Sequence, residues 1–249
     1  MRLILRVAGL ALCLAVCVPM HFLTKTLTGR SGWPQRFLRW AGWWAGLRVE
    51  VVGRPLANHV LFAANHVTWL DILALAGVTG TAFVARGDMA HWPLLGWLSR
   101  LNDTLFVERE AKRTVHGQAE LLRTLLASGR PVALFPEGTT EAGHEVLPFR
   151  PSLFASLFPP LARLRVQPVA IDYGPLAEEV AWVGEEPAGT NAKRMLSRRG
   201  QIPVRLSFLD PIDPGQAGDR KRLSALAEAE VRGALAGFEP GSVPLYGRK

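Results

Sequence analysis

From residue 48 onward the chain alternates short apolar runs with longer segments of helical pattern, and this alternation constrains the fold more than any other feature. Runs at 48–52, 60–64, 81–85, 104–107, 131–135, 166–171 and 204–208 have the length and composition of strands. Between them, 69–76, 92–101, 114–127 and 220–236 read as helices. Pro93 opens one of these and Gly129 stops another. The alternation predicts an α/β fold: a largely buried mixed sheet flanked by helices. The chain has 249 residues, enough for one such domain with a sizeable core. No internal repeat or long low-complexity linker interrupts it. The expected organisation is a membrane element over 1–47, an α/β domain over 48–240 and a tail over 241–249.

The first 47 residues have a different texture. Residues 3–23 are mostly apolar, with Arg6 inside and Pro19 and His21 near the end. The uninterrupted part, 7–20, is shorter than the roughly 20 residues a full span needs. A basic start before a short apolar run also suits a cleaved signal, but no small-residue cleavage site follows. The expectation is a retained anchor, either a short span or a helix embedded in one leaflet. In 33–47, Trp33, Phe37, Trp40, Trp44 and Leu47 share one helical face, with Arg36 and Arg39 off it. That is the pattern of an interfacial helix; the alternative is an aromatic helix packed on the main domain. Together the two predict a two-helix membrane element.

Charge agrees with a membrane partner. The net charge is +8 and the pI about 10.3, which favours an anionic surface or substrate. Arginines are scattered, and neither zinc-finger spacing nor an aromatic RNA-binding signature is present, so no nucleic-acid partner is expected. Eight tryptophans suit the headgroup level of a bilayer. The two cysteines, Cys13 and Cys17, fall on one face of the apolar segment, where a disulfide within a helix is geometrically poor. They read as buried small apolar residues. The remainder of the chain, lacking cysteine, has neither a disulfide framework nor a cysteine zinc site.

Residues 63–71 read Ala-Ala-Asn-His-Val-Thr-Trp-Leu-Asp. The apolar run 60–64 breaks at Asn65 and His66, and a second begins at Trp69. Thr68 has the character of an N-cap, and Asp71, three residues on, suits the first helical turn. Strand, tight turn and helix place Asp71 within reach of one imidazole nitrogen of His66. The other nitrogen is left facing outward, as a general base requires. A structural polar turn is the competing reading.

Residues 134–140 read Leu-Phe-Pro-Glu-Gly-Thr-Thr: a buried strand, then an acid, a glycine and two hydroxyls in a small space. Glycine there permits a tight turn and close approach to a ligand. Residues 104–109 deliver Arg109 from a strand end, where it suits a phosphate or, alternatively, a salt bridge to a neighbouring glutamate. Residues 166–173 form a strand opened by Gln-Pro.

These four stretches, in order, resemble the blocks of the glycerolipid acyltransferase family, whose best-known members are the 1-acylglycerol-3-phosphate acyltransferases. The first block, Asn-His-(four residues)-Asp, is present as Asn65, His66 and Asp71. The third, Phe-Pro-Glu-Gly-Thr, is intact as Phe135 to Thr139. In the second, Phe106, Val107 and Arg109 match, and Asp103 replaces the usual glycine. The fourth centres on Pro168. Thr140 stands where many members have Arg or Ser. Residues 146–150 and 181–184 are also similar to a bacterial branch that includes lyso-ornithine lipid acyltransferases.

The resemblance implies acyl transfer from an acyl carrier protein or coenzyme A thioester to the free hydroxyl of 1-acylglycerol-3-phosphate, giving phosphatidic acid, with lyso-ornithine lipid as the alternative acceptor. It implies His66 as general base, oriented by Asp71, with Asn65, Arg109, Glu137, Gly138 and Thr139 binding the acceptor. Backbone amides near Gly138 become candidates for an oxyanion site. The thioester is a co-substrate, and no cofactor or metal is expected. The implied place is the cytoplasmic side of a cell inner membrane, among membrane lipids. Two rivals remain: a metal-dependent esterase or phosphatase using His66, Asp71 and Glu137, and an inactive lipid-binding protein.

Overall fold

The computed structural model describes residues 1–107, 112–143 and 145–237. Arg109, the expected boundary at 240 and the tail 241–249 lie outside the described residues. The helices are α1 (Arg2–Thr28), α2 (Trp33–Ala45), α3 (Leu70–Thr79), α4 (Pro93–Leu101), α5 (Lys112–Ala127), α6 (Ala177–Val180), α7 (Ala188–Ser197), α8 (Pro214–Ala217) and α9 (Arg220–Ala236). The strands are β1 (Leu47–Gly53), β2 (Val60–Ala64), β3 (Ala82–Arg86), β4 (Leu105–Val107), β5 (Val132–Leu134), β6 (Arg165–Asp172) and β7 (Ile202–Phe208). All seven expected strands are present, and the fold is the expected mixed α/β sheet flanked by helices.

The sheet order is β1-β7-β6-β2-β5-β3-β4, which puts β2 at the centre. Strand β2 is buried along its whole length because helices cover both sheet faces. Its side chains alternate between two cores, as the strand period requires. Val60, Phe62 and Ala64 point toward α3 and α7, packing with Leu70, Leu75 and Met195. Leu61 and Ala63 point the other way, toward α5 and α9, with Leu126, Leu223 and Val231. β6, β2, β5, β3 and β4 run parallel, whereas β7 is antiparallel to β6 and parallel to β1.

Helix α1 is longer than its apolar run suggested. It covers 27 residues and is the one described helix long and apolar enough to cross a membrane. Its buried stripe is Gly9, Cys13, Cys17 and His21, one residue per turn, and both cysteines are free thiols. Trp44 of α2 lies directly over Gly9. Helix α2 has two contact faces. Ala41, Gly42 and Ala45 are buried, and the Arg39 backbone comes within 3.0 Å of where a Cβ on Gly77 of α3 would stand. The Arg39 side chain then donates to the Gly77 carbonyl at 3.0 Å, and Gln35 to the Val78 carbonyl at 2.9 Å. The helix is therefore fastened to the α/β domain on its small-residue side, while Trp40 and Trp43 stay exposed.

Candidate active site

The carboxyl end of β2 is the centre of the sheet's upper edge, where open α/β sheets place their ligands. Asn65 is the first residue beyond it. Its carboxamide accepts from the Ile171 amide at 2.8 Å and donates to the Ile171 carbonyl at 2.9 Å. Both ends of the side chain are thus committed to β6, continuing the parallel pairing one step past the strand. Asn65 thereby shapes the turn that carries His66.

His66 follows, with its side chain 17% exposed and Nδ1 2.8 Å from Asp71 Oδ2. That same oxygen accepts from the backbone amides of Val67 at 2.7 Å and Thr68 at 3.0 Å. The expected cap is therefore inverted. Thr68 makes no capping bond, and its hydroxyl has no partner among the described residues. The acid in the first turn reaches back and satisfies the amides itself, as the glutamate half of a capping box does. One carboxylate oxygen closes the helix start and orients the imidazole together.

The other oxygen, Oδ1, accepts from the Tyr173 hydroxyl at 2.6 Å. Sequence reading missed Tyr173. Burial, reinforced by the charge of Asp71 and the hydrogen bond to it, pushes its hydroxyl well above the ordinary tyrosine range, so it stays a donor. The available signal was its place as a polar aromatic just past the end of a buried strand. Phe135 holds the imidazole from its face: the rings stack at 3.9 Å between centroids and 10° between planes, and Phe83 stacks behind Phe135. With Nδ1 donating to Asp71, Nε2 is left as an acceptor. It makes no hydrogen bond among the described residues.

Glu137 is 2% exposed, and neither carboxylate oxygen has a hydrogen-bond partner among the described residues. Burial pushes its carboxyl up to about 8. Asp71 and Glu141 act in the same direction, and the nearby His66 amide and Arg232 oppose them in part. Below that pH the group is a protonated donor. Gly138 sits at φ 74°, a left-handed turn that suits glycine, and the Arg150 guanidinium lies against it, 3.1 Å from where a Cβ would stand. The Gly138 amide donates to the Phe135 carbonyl at 3.1 Å. Thr139 is exposed at the rim, and its hydroxyl contacts only the Thr140 carbonyl. The Thr140 hydroxyl instead donates to the Trp182 carbonyl, and the Trp182 amide to the Val67 carbonyl.

The structure thus brings His66, Asp71, Glu137 and Gly138 together. Among the described residues no group of three His, Cys, Asp or Glu side chains converges as a metal site does. Both Asp71 oxygens accept from protein donors.

An α/β sheet with a carboxylate-oriented histidine at the end of its central strand is the arrangement of a proton-abstracting transferase or hydrolase. The backbone matches the crystal structure of the 1-acyl-sn-glycerophosphate acyltransferase PlsC from Thermotoga maritima with a TM-score of 0.69. That match covers 94% of this chain and 95% of the other, at 22% identity. The sequence model of the acyltransferase family matches residues 48–172, and the chain belongs to that family. It is 37% identical to a lyso-ornithine lipid O-acyltransferase of Rhizobium meliloti, covering 88% of this chain and 81% of that one. It is 32% identical to a 1-acyl-sn-glycerol-3-phosphate acyltransferase of Neisseria meningitidis, covering 74% of each.

Proposed function

We propose that the protein is a membrane-associated acyltransferase that moves a fatty acyl group from a thioester of acyl carrier protein or coenzyme A to the hydroxyl of lyso-ornithine lipid. The observation that carries the reaction class is the His66–Asp71–Tyr173 relay with Nε2 left open. His66 Nε2 takes the proton of the acceptor hydroxyl as its oxygen attacks the thioester carbonyl carbon. Asp71 stabilises the imidazolium that results. The tetrahedral intermediate collapses, the carbon–sulfur bond breaks, and the leaving thiolate takes the proton back from His66. The acceptor is the nucleophile, so no serine or cysteine is required.

The acceptor assignment departs from the first expectation, 1-acylglycerol-3-phosphate. It is supported by the greater identity and coverage of the lyso-ornithine relative. It is also supported by the 181–184 stretch, which the structure ties to the turn after His66 through Trp182 and Val67. The phosphate-bearing acceptor remains the second reading, favoured by the Arg150 guanidinium over Gly138, beside the buried Glu137. In either case Glu137 holds the acceptor as a protonated donor, and Thr139 lines the rim. The α1–α2 pair embeds in one leaflet of the inner membrane, because α2 is fastened along α3 and α1 packs against α2. The catalytic domain then faces the cytoplasm.

The test is thiol release from both thioesters by the purified full chain in detergent, with each acceptor in turn. Release that requires lyso-ornithine lipid, and that falls by roughly 10²–10⁴-fold in His66→Ala, is expected. Release with lysophosphatidic acid alone moves the assignment to the second reading. Unchanged turnover in folded His66→Ala would falsify the mechanism.

A further inference from the structure

Two adjoining cavities lie away from His66, where α1 meets α2. One, about 570 Å³, is bounded by Leu12, Cys13, Val16 and the indoles of Trp40, Trp43 and Trp44. It falls within the size range of ligand cavities and has an almost wholly apolar lining. The other, about 250 Å³, shares Trp43 and Trp44 and is rimmed by Arg2, Arg6 and Arg48. An apolar slot and a cationic mouth thus meet across the same two indoles.

The cationic mouth is uncompensated. None of Arg2, Arg6 and Arg48 pairs with an acidic side chain among the described residues. Arg198, which repels Arg6 together with Arg2, is itself neutralised by Glu179 at 2.7 Å. Arg6 is held in place by the Met195 carbonyl at 2.9 Å and the Gly200 carbonyl at 3.2 Å, and it lies flat against Gly46. The Arg48 guanidinium sits 5.7 Å from the Trp43 ring centroid. Neutral carbonyls and an aromatic face fix Arg6 and Arg48 but do not cancel their charge, so an anion is the missing complement.

Strand direction fixes where this mouth opens. β1 is parallel to β7, β7 antiparallel to β6, and β6 parallel to β2. β1 therefore runs opposite to β2, and Arg48 at its start lies on the same edge of the sheet as His66 just past the end of β2. A lipid seated there has its headgroup level with the catalytic edge.

We propose that Arg2, Arg6 and Arg48, with the Trp43–Trp44 slot behind them, bind one membrane phospholipid with an anionic phosphate headgroup, at a site separate from the acceptor site. The headgroup contacts the guanidinium groups, and an acyl chain occupies the apolar cavity between α1 and α2. The bound lipid fixes the depth of the α1–α2 pair and so the level of the His66 edge in the leaflet.

The experiment is native mass spectrometry of the full chain in detergent, carried as His66→Ala so that binding is read without turnover. Phosphatidic acid and phosphatidylcholine with identical acyl chains are the probes. One retained phosphatidic acid is expected, with phosphatidylcholine much weaker. Arg2→Gln together with Arg48→Gln lowers phosphatidic acid affinity by roughly thirty-fold, at about fivefold per basic residue facing an anionic headgroup. Cys13→Trp fills the slot and weakens the same lipid with the arginines intact. Equal retention of the two lipids overturns the proposal. So does unaltered binding in an arginine variant that melts like its parent. Displacement of the lipid by millimolar inorganic phosphate would reassign the mouth to a free anion and equally overturn it.

Discussion

At the scale of single residues, the site rests on how Asp71 divides its two oxygens. Oδ2 serves the helix start and the imidazole, and Oδ1 is held by Tyr173. The phenol draws negative charge away from the side of the carboxylate that faces His66. Tyr173→Phe removes that competition and leaves the ring's packing in place. A several-fold loss of kcat with KM little changed is expected, from looser orientation of the carboxylate that holds the imidazole. A purely structural tyrosine would instead lower the melting temperature and leave the activity of the folded fraction in place. Glu137 gives a pH signature. The folded chain holds its proton up to about pH 8, whereas an ordinary glutamate releases it near 4.5. Between those values the folded state binds more protons, so stability falls as pH rises from 4.5 through 8, by roughly 5 kcal/mol at most. Glu137→Gln abolishes that slope, as read from denaturation midpoints at pH 6 and 8.5. It retains most activity at pH 7 because an amide still donates, whereas Glu137→Ala loses at least about tenfold.

At the scale of elements, the loop between α4 and β4 resolves an oddity of the sequence. Asp103 occupies a position where the acyltransferase blocks have glycine, and its φ is 56°. The backbone keeps the left-handed conformation that favours glycine, and aspartate tolerates it better than most side chains. The carboxylate also pairs with Arg130 at 3.1 Å. Asp103→Gly is expected to be nearly neutral, because relief of strain offsets the lost, partly exposed ion pair. Asp103→Val, β-branched, costs roughly 1–3 kcal/mol in chemical denaturation. The position also marks what was legible in the sequence. All seven strands were readable because apolar runs and turn residues are local signals. So was the strand–turn–helix around His66. Helix α7 was not, because its buried face holds only Asn191 and Met195 and the rest is polar. Asn191 is fixed by Trp69 and Glu186, contacts 122 and five residues away in sequence that leave no periodic trace. Tyr173 escaped for the same reason: its role depends on β6 lying beside β2, a fact of topology.

At the scale of the whole molecule, the proposed anchor reaches the domain chiefly through α2, which packs along α3, and α1 is held in turn by α2. α1 touches the α/β domain through the Arg6 hydrogen bonds and otherwise leans on α2, with the Trp44 ring over Gly9. A Cβ at Gly9 would stand 2.1 Å from that ring, so any larger residue forces the helices apart. Gly9→Leu is overpacking at a helix crossing, worth roughly 1–3 kcal/mol. The cost falls on the α1–α2 contact, because the Arg39 and Gln35 bonds still hold α2 to α3. Trypsin cleavage at Lys25 and Arg30, in the last turn of α1 and the link that follows, is expected to quicken several-fold. Thiol release with a detergent-dispersed acceptor should stay near the parent's, while release with the same acceptor embedded in vesicles falls. Equal losses in the two formats would mean that α1 supports the fold of the site itself. A loss confined to vesicles means that it sets the height at which the site works.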